Sequence, residues 1–316
     1  MRAIVIDGFG GADLLRSAEI PAPAAAAGEV LIRIVAAGVN PVDWKIREGL
    51  LQSMLPHRFP LIPGWDAAGT IAALGDGVAD FAVGDRVWAY CRKPKVQGGT
   101  YAEYVVVPAI GVAPAPARIG LVEAASMPLV TLTSWQALFD TAGLTTGQSV
   151  LIHAGAGGIG SMAVQLAKQA GATVIATAGA ANRVYVRELG ADHVIDYTAG
   201  DFVPAVRVLF PEGVDVVFDT IGGETQTRSY GVLRRDGFLV SIVEEPRPEE
   251  AAAAGVRHAF VFVKPDGAQL RRIAALVDEG KIHPPRVTVM PLTEAAAAQL
   301  RSQEGHVRGK IVLQIG

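Results

Sequence analysis

The stretch Val150-Leu-Ile-His-Ala-Gly155-Ala-Gly157-Gly158-Ile-Gly160-Ser-Met-Ala-Val-Gln-Leu-Ala-Lys168 decides the fold. Its glycines at 155, 157 and 160 make a G-x-G-x-x-G pattern, which alone is weak. Here the apolar run 149–153 precedes it, and Ile159, Met162, Ala163, Leu166 and Ala170 recur at helical spacing after it. Strand, glycine turn and helix in that order form the arrangement that cradles a pyrophosphate. Gly155 permits the tight turn, Gly157 lets the backbone approach a phosphate, and Gly160 lets the helix lie close on the strand. Free N–H groups and the dipole at the helix start favour negative charge. Gly155, Ala156, Gly157, Gly158, Ile159 and Gly160 are the candidate loop contacts. The competing reading is a set of glycines that serves only a turn.

Strands and helices alternate outward from this loop. Strands are read at 173–177, 192–195, 214–218, 238–243 and 259–263. Helices are read at 121–127, 132–142, 158–169, 181–189, 201–209, 224–233, 249–255 and 268–278. The strands are apolar without polar alternation, which means burial on both faces and a parallel sheet covered by helices. The first third reads differently. Short apolar runs at 1–6, 30–35, 69–74, 86–90 and 104–108 are separated by Gly, Pro and Asp clusters, the pattern of a partial β-barrel. After Gly280 a strand at 286–290, a helix at 293–302 and a strand at 310–315 are too short to fold alone. The expected fold class is α/β. Residues 1–118, rejoined by 283–316, form a barrel domain, and 119–282 form a doubly wound parallel-sheet domain.

Composition narrows the class. The chain has 316 residues, half of them hydrophobic, with 28 basic and 31 acidic side chains and a net charge of −3. It is too apolar for a disordered chain, and no basic run points to nucleic acid. No apolar stretch reaches the roughly 18–20 residues of a membrane span. The opening MRAIVIDGFG lacks the long apolar core of a signal peptide, so a cytoplasmic protein is expected. The single cysteine, Cys91, rules out a disulfide scaffold and any site built from several cysteines.

The second strand end bears on the cofactor. NAD-binding units place Asp or Glu about 20 residues after the first glycine, on the ribose 2′-OH. The stretch 175–183 has no acid but offers Thr177, Asn182 and Arg183. Arg183 suits a 2′-phosphate, so NADPH is expected as cofactor. The plainer reading of Arg183 is a solvated residue in the first turn of a helix.

Several further segments occur in a fixed order. They are Gly38-Val-Asn-Pro-Val-Asp43-Trp-Lys-Ile-Arg47-Glu-Gly49, Pro63-Gly-Trp-Asp-Ala-Ala-Gly69, Val83-Gly-Asp-Arg-Val87 and Gly98-Gly-Thr-Tyr-Ala-Glu-Tyr104. Leu129-Val-Thr-Leu-Thr-Ser-Trp135, Leu189-Gly-Ala-Asp192, Phe218-Asp-Thr-Ile-Gly-Gly223 and Gly305-His-Val-Arg-Gly-Lys-Ile-Val312 follow. With the glycine loop, they make the chain resemble the medium-chain dehydrogenase/reductase superfamily, specifically its zinc-free quinone oxidoreductase branch. The resemblance implies a GroES-like barrel domain and a Rossmann domain. Zinc alcohol dehydrogenases of that superfamily use a Cys, a His–Glu pair and a further Cys or His. Asp43 stands at the position of the first Cys, and Trp65 and Asp66 at that of His–Glu, so no metal is expected.

By the same resemblance, hydride passes to an activated acceptor, a quinone or α,β-unsaturated carbonyl of hydrophobic character. Asn40, Lys45 and Asp43 are the implied catalytic candidates. Each has a plainer reading, as a turn former, a solvated lysine and a local structural acid. Lys45 stands where many relatives carry Tyr, which leaves the proton donor open. Implied cofactor contacts are Thr133 on the nicotinamide carboxamide, Tyr197 by the adenosine phosphate, and Ile221, Gly222, Val243, Phe262 and Val263 beside the nicotinamide. Lys310 is implied to approach the cofactor from the returning tail. A homodimer through the sheet edge near 259–263 is implied too. Two alternatives stand: an enoyl reductase acting on thioester-bound acyl chains, and a low-turnover NADPH-binding structural or sensor protein.

Overall fold

A computed structural model describes residues 1–315. The chain divides into two compact units: Met1–Leu129 together with the segment from Lys264 onward, and Val130–Val263. In chain order the first unit has β1 (Arg2–Val5), β2 (Arg16–Glu19), β3 (Glu29–Val39), α1 (Pro41–Arg47), β4 (His57–Ile62), β5 (Asp66–Leu74), β6 (Arg86–Tyr90), β7 (Val96–Gly98), β8 (Tyr104–Pro108), β9 (Val112–Pro114) and α2 (Leu121–Ala124). Helix α3 (Pro128–Trp135) follows and runs on as a π-helical segment, Gln136–Thr141. The second unit continues with β10 (Ser149–Ile152), α4 (Gly158–Gln169), β11 (Thr173–Ala178), α5 (Arg183–Glu188), β12 (His193–Asp196) and α6 (Phe202–Leu209). It ends with β13 (Val214–Asp219), α7 (Gly223–Ser229), β14 (Leu233–Ser241), α8 (Pro248–Ala254) and β15 (Arg257–Phe260). The chain then returns to the first unit with α9 (Gly267–Asp278), β16 (Val287–Pro291), α10 (Ala295–Glu304) and β17 (Lys310–Gln314).

The second unit is a six-stranded sheet in the order β12-β11-β10-β13-β14-β15, and every pairing is parallel. Its strands feed two separate cores. Val150, Ile152, Val174, Val216 and Phe218 belong to one, and Leu151, Ile175, Val217 and Leu239 to the other. Alternate residues of one strand thus enter opposite layers, which is why the strands read as unbroken apolar runs. The strand order reverses direction beside β10, and such a switch point is where open α/β sheets bind ligands.

The first unit is built on a seven-stranded sheet, β16-β17-β3-β5-β6-β9, with β8 also paired to β3. The returning β17 lies antiparallel to β3, so the tail adds to this sheet. Both unit borders differ from the sequence reading: residues 119–129 and 264–282 group with the first unit. The reason is close backbone packing. A Cβ on Gly38 of β3 would collide with the Ala125 carbonyl after α2. One on Gly267 of α9 would collide with the carbonyls of Ile110 and Val112, at β9.

Some elements escape the sequence reading. The segment 50–63, where no strand was read, contains β4, which pairs with β7. Helix α1 was passed over, although Asn40 at its N-cap, Pro41 in its first turn and Asp43 at the third position are a start signal. Strand β15 ends at Phe260, so Phe262 and Val263 lie beyond it rather than within it. Among the described residues no helix is long and apolar enough to cross a membrane.

Arg47, at the end of α1, ties the tail to the barrel. It is 1% exposed, and its guanidinium donates to the Gly10 carbonyl, Gln299 Oε1, Gln303 Oε1 and Glu48 Oε1. Gln299 and Gln303 belong to α10, so one cation bonds residues about 250 positions apart in the chain. Arg47→Met is expected to cost about 3 kcal/mol of stability, because it strands several buried acceptors at once. The urea midpoint measures the loss, and a shift below about 1 kcal/mol would contradict the anchoring role.

Candidate functional site

The glycine loop joins β10 to α4 in the second unit. Gly155 donates its N–H to the Thr177 carbonyl at 2.9 Å. A Cβ there would press on Ala176 Cβ at 2.9 Å and Val186 Cγ1 at 3.1 Å, so the turn is held tight by the strand beside it. A Cβ on Gly160 would collide with the Ala154 carbonyl, which is the close helix–strand approach its position demands. Gly157 differs: a Cβ there meets only Ala154 O at 3.4 Å, an ordinary contact. Nothing inside the protein requires a glycine at 157, which leaves the outer face of the loop as the reason for it. Gly157 is the N-cap of α4 and supplies no side-chain cap, so the first-turn N–H groups of Gly158, Ile159 and Gly160 have no intrahelical partner.

Buried side chains hold this loop from beneath. Thr177 is 3% exposed, and its hydroxyl accepts the Ala154 N–H at 3.1 Å. Thr177, offered from sequence as a cofactor-side candidate, turns its hydroxyl toward the loop backbone and secures it. His153 sits beside it, with Nδ1 at 3.2 Å from Thr177 Oγ1 and Nε2 at 2.9 Å from Ser229 Oγ. Ser229 spends its own proton on the Thr225 carbonyl, so it accepts from His153 Nε2–H, and Thr177 donates to Nδ1. Burial pushes the His153 pKa down to about 4, and the ring is neutral in this chain of bonds.

The neighbouring strand ends form a second organised turn. Asp219, fully buried at the end of β13, accepts the N–H groups of Ile221 and Gly222 on Oδ1, and Gln226 Nε2 and Ser241 Oγ on Oδ2. Four donors satisfy the carboxylate and fix the turn, leaving Ile221 and Val243 exposed at the carboxyl ends of β13 and β14. Asp219 was not singled out from sequence, although it lies in the segment 218–223. At the end of β11, Arg183 opens α5 and is exposed, close enough to Asp196 to lower that carboxyl's pKa. Tyr197 is half exposed, its hydroxyl 3.8 Å from where a Cβ on Gly179 would lie. Thr133 is buried within α3.

The first unit holds a buried polar cluster. Lys310 Nζ donates to the Val39 carbonyl at 2.7 Å and to Asn40 Oδ1 at 2.5 Å. Asn40 Nδ2 donates to Asp66 Oδ2 at 2.9 Å, and Lys310 lies 3.8 Å from the same carboxylate. Asp43 Oδ2 accepts the Asn40 N–H at 2.9 Å and the Tyr101 hydroxyl at 2.8 Å. Lys310, implied from sequence to approach the cofactor, has its ammonium engaged within the first unit. Asn40 and Asp43 are buried and engaged, and act by positioning one another. Of the three catalytic candidates, Lys45 alone is part-exposed, near the Trp44 ring and in no ion pair among the described residues. Tyr101, through its hydroxyl on Asp43, belongs to this cluster.

Burial dominates the electrostatics here. It raises the Asp43 pKa to about 7, against the Asn40 N–H, the Tyr101 hydroxyl and Lys310. It raises Asp66 to about 6, against Lys310, Asn40 and the Leu129 N–H. It lowers Lys310, against both carboxylates. Among the described residues no three His, Cys, Asp or Glu side chains gather as a metal site, and the ammonium beside Asp66 repels a cation.

Both carboxyl values lie above the unfolded 3.8, so the folded state holds these protons more tightly. Their stabilising contribution is full below about 4 and lost as pH rises through about 6 and 7. Lys310→Met strands both carboxylates without a counter-charge. We expect it to cost about 3 kcal/mol at pH ~8 and much less at pH ~5, where the carboxyls are neutral. Equal losses at both pH values in urea titrations would contradict this.

The chain matches two family descriptions: an alcohol dehydrogenase GroES-like domain over residues 26–117, and a zinc-binding dehydrogenase over residues 189–313. It is 34% identical to a chloroplast envelope quinone oxidoreductase homolog of Arabidopsis thaliana, over 99% of this chain and 98% of that one. The structure of a quinone oxidoreductase from Coxiella burnetii superposes with a TM-score of 0.90 at 33% identity, covering 100% and 99% of the two chains. An Escherichia coli quinone oxidoreductase complexed with NADPH gives a TM-score of 0.88 at 27% identity, covering 99% and 100%. With the sheet order and the glycine loop, these likenesses show that the chain belongs to the medium-chain dehydrogenase/reductase superfamily, in its quinone oxidoreductase-like branch.

Proposed function

We propose that the chain is a zinc-independent, NADPH-dependent reductase that transfers hydride to a quinone or an α,β-unsaturated carbonyl. The carrying observation is the uncapped start of α4, next to a β11 terminus that has no carboxylate and is followed by an exposed Arg183. The relatives named as quinone oxidoreductases support the same reading, one of them holding NADPH.

In this reading the free N–H groups of Gly158, Ile159 and Gly160 bind the pyrophosphate, while Gly155, Ala156 and Gly157 shape the turn, the Gly157 N–H being spent on the Ala154 carbonyl. Arg183 pairs with the 2′-phosphate, and Tyr197 flanks the adenosine side. Thr133 holds the carboxamide, and Ile221, Gly222, Val243, Phe262 and Val263 line the nicotinamide face. The bound dinucleotide supplies the hydride. Lys45 meets negative charge that develops on the acceptor oxygen, and Asn40 and Asp43 fix the start of α1, which carries it. Independence of zinc is supported by the engagement of Asp43 and Asp66 with Asn40, Tyr101 and Lys310, and by the lack, among the described residues, of three His, Cys, Asp or Glu side chains gathered as a metal site. A second copy added to the outer edge of β15 gives a homodimer.

Turnover is tested by NADPH oxidation with a panel of naphthoquinones, enones and enoyl thioesters, with and without a zinc chelator. The expected result is turnover of quinones or enones that the chelator leaves unchanged. Turnover of thioesters alone would replace the proposal with an enoyl reductase. Tight NADPH binding with no turnover would replace it with a sensor or structural role. Arg183→Ala is expected to raise the KM for NADPH about tenfold and leave that for NADH unchanged. An unaltered NADPH/NADH ratio would remove the 2′-phosphate assignment. Lys45→Met is expected to lower kcat by roughly a hundredfold with NADPH affinity intact.

A further inference from the structure

The first unit contains a cavity of about 610 Å³ that shares no residue with the Asn40–Asp43–Asp66–Lys310 cluster. Its walls are apolar, with Ile20, Pro23, Pro60, Ile62 and Val106 among them. The volume lies within the usual range of small-molecule sites. Two charged side chains line it, Lys93 and Lys95, and no carboxylate does.

Lys93 is part-buried and makes no hydrogen bond or ion pair among the described residues. Most buried ammonium groups are paired, because desolvating an unpaired charge is costly. Burial lowers the Lys93 pKa, and the Cys91 thiol and Glu29 only partly oppose this. The missing partner is an anion, and the apolar walls say what kind. A phosphate or an acidic peptide would leave the proline, valine and isoleucine surface in water.

We infer that this cavity binds an apolar monocarboxylate, with the carboxylate on Lys93 and a medium-length hydrocarbon chain along the proline and valine walls. Charge complementarity and wall chemistry select this ligand together. An alcohol of the same chain length would gain the apolar burial but not the charge-assisted bond. The assignment is independent of the reductase reading, since it uses none of the residues invoked there.

Titration calorimetry on the full chain, with decanoate and decanol as probes, tests it. Decanoate is expected to bind saturably at one site per chain, about tenfold or more tighter than decanol. Lys93→Gln is expected to bring decanoate down to the affinity of decanol. Gly98→Phe is expected to abolish binding of both. A Cβ at Gly98 meets nothing nearer than Lys93 Nζ at 3.8 Å, so the backbone accepts a side chain there that fills the cavity. Thermal midpoints of both variants establish that they are folded. Absence of saturable decanoate binding to the unmodified chain, equal affinity for decanoate and decanol, or decanoate binding that survives either substitution would overturn the inference.

Discussion

One buried ammonium group holds one end of the first unit's sheet together. Lys310 is the first residue of β17, and it reaches the last residue of β3, the N-cap of α1 and the first residue of β5. Two fully buried carboxyls, Asp43 and Asp66, face this single cation. Neutrality is reached only if the carboxyl pair retains a proton, and burial drives both pKa values upward in that direction. The returning tail is thus more than an added strand. It delivers the charge without which Asn40 and the start of α1 would lose their fixed geometry.

The second unit solves the opposite problem, keeping main-chain donors free instead of satisfying every polar group. Below the loop, Thr177 takes the Ala154 N–H and His153 bridges Thr177 to Ser229 of α7. Below the next turn, Asp219 takes four donors. Each of these side chains is buried, so the rigidity comes from beneath the surface. The first turn of α4 needs no cap of its own, and its N–H groups stay available to an incoming anion.

The parts legible in the sequence are those with a local signature. The glycine loop, the alternation that follows it and the return of the tail each announce themselves within about a dozen residues. The cluster does not. Asn40 and Lys310 are 270 positions apart, and no local pattern pairs them. The buried bonds of Lys310 stayed hidden for the same reason. Thr177 was offered as a cofactor-side candidate, whereas alternation along β11 places it on the side of Ile175, within the core layer that also holds Phe202. Helix α1 went unread because its seven residues are short and the Asn-Pro start resembles a turn. The unit borders shifted because α2 and α9 are assigned by where their backbones dock, which periodicity cannot show.

The two units carry titrating groups of opposite sense. His153 has its folded value near 4, below the unfolded 6.5, so its contribution is full above about 6.5 and lost as pH falls toward 4. Asp43 and Asp66 have folded values near 7 and 6, above 3.8, so theirs is lost as pH rises. Between about pH 4 and 6.5 acidification weakens the second unit through the histidine and strengthens the first through the carboxyls. The histidine sits under the loop proposed to bind phosphate, and the carboxyls sit under the helix that presents Lys45. Near neutral pH the histidine is already uncharged and Asp43 is close to its midpoint. There the charge balance around Asn40 is the more sensitive of the two, and Lys310 decides it.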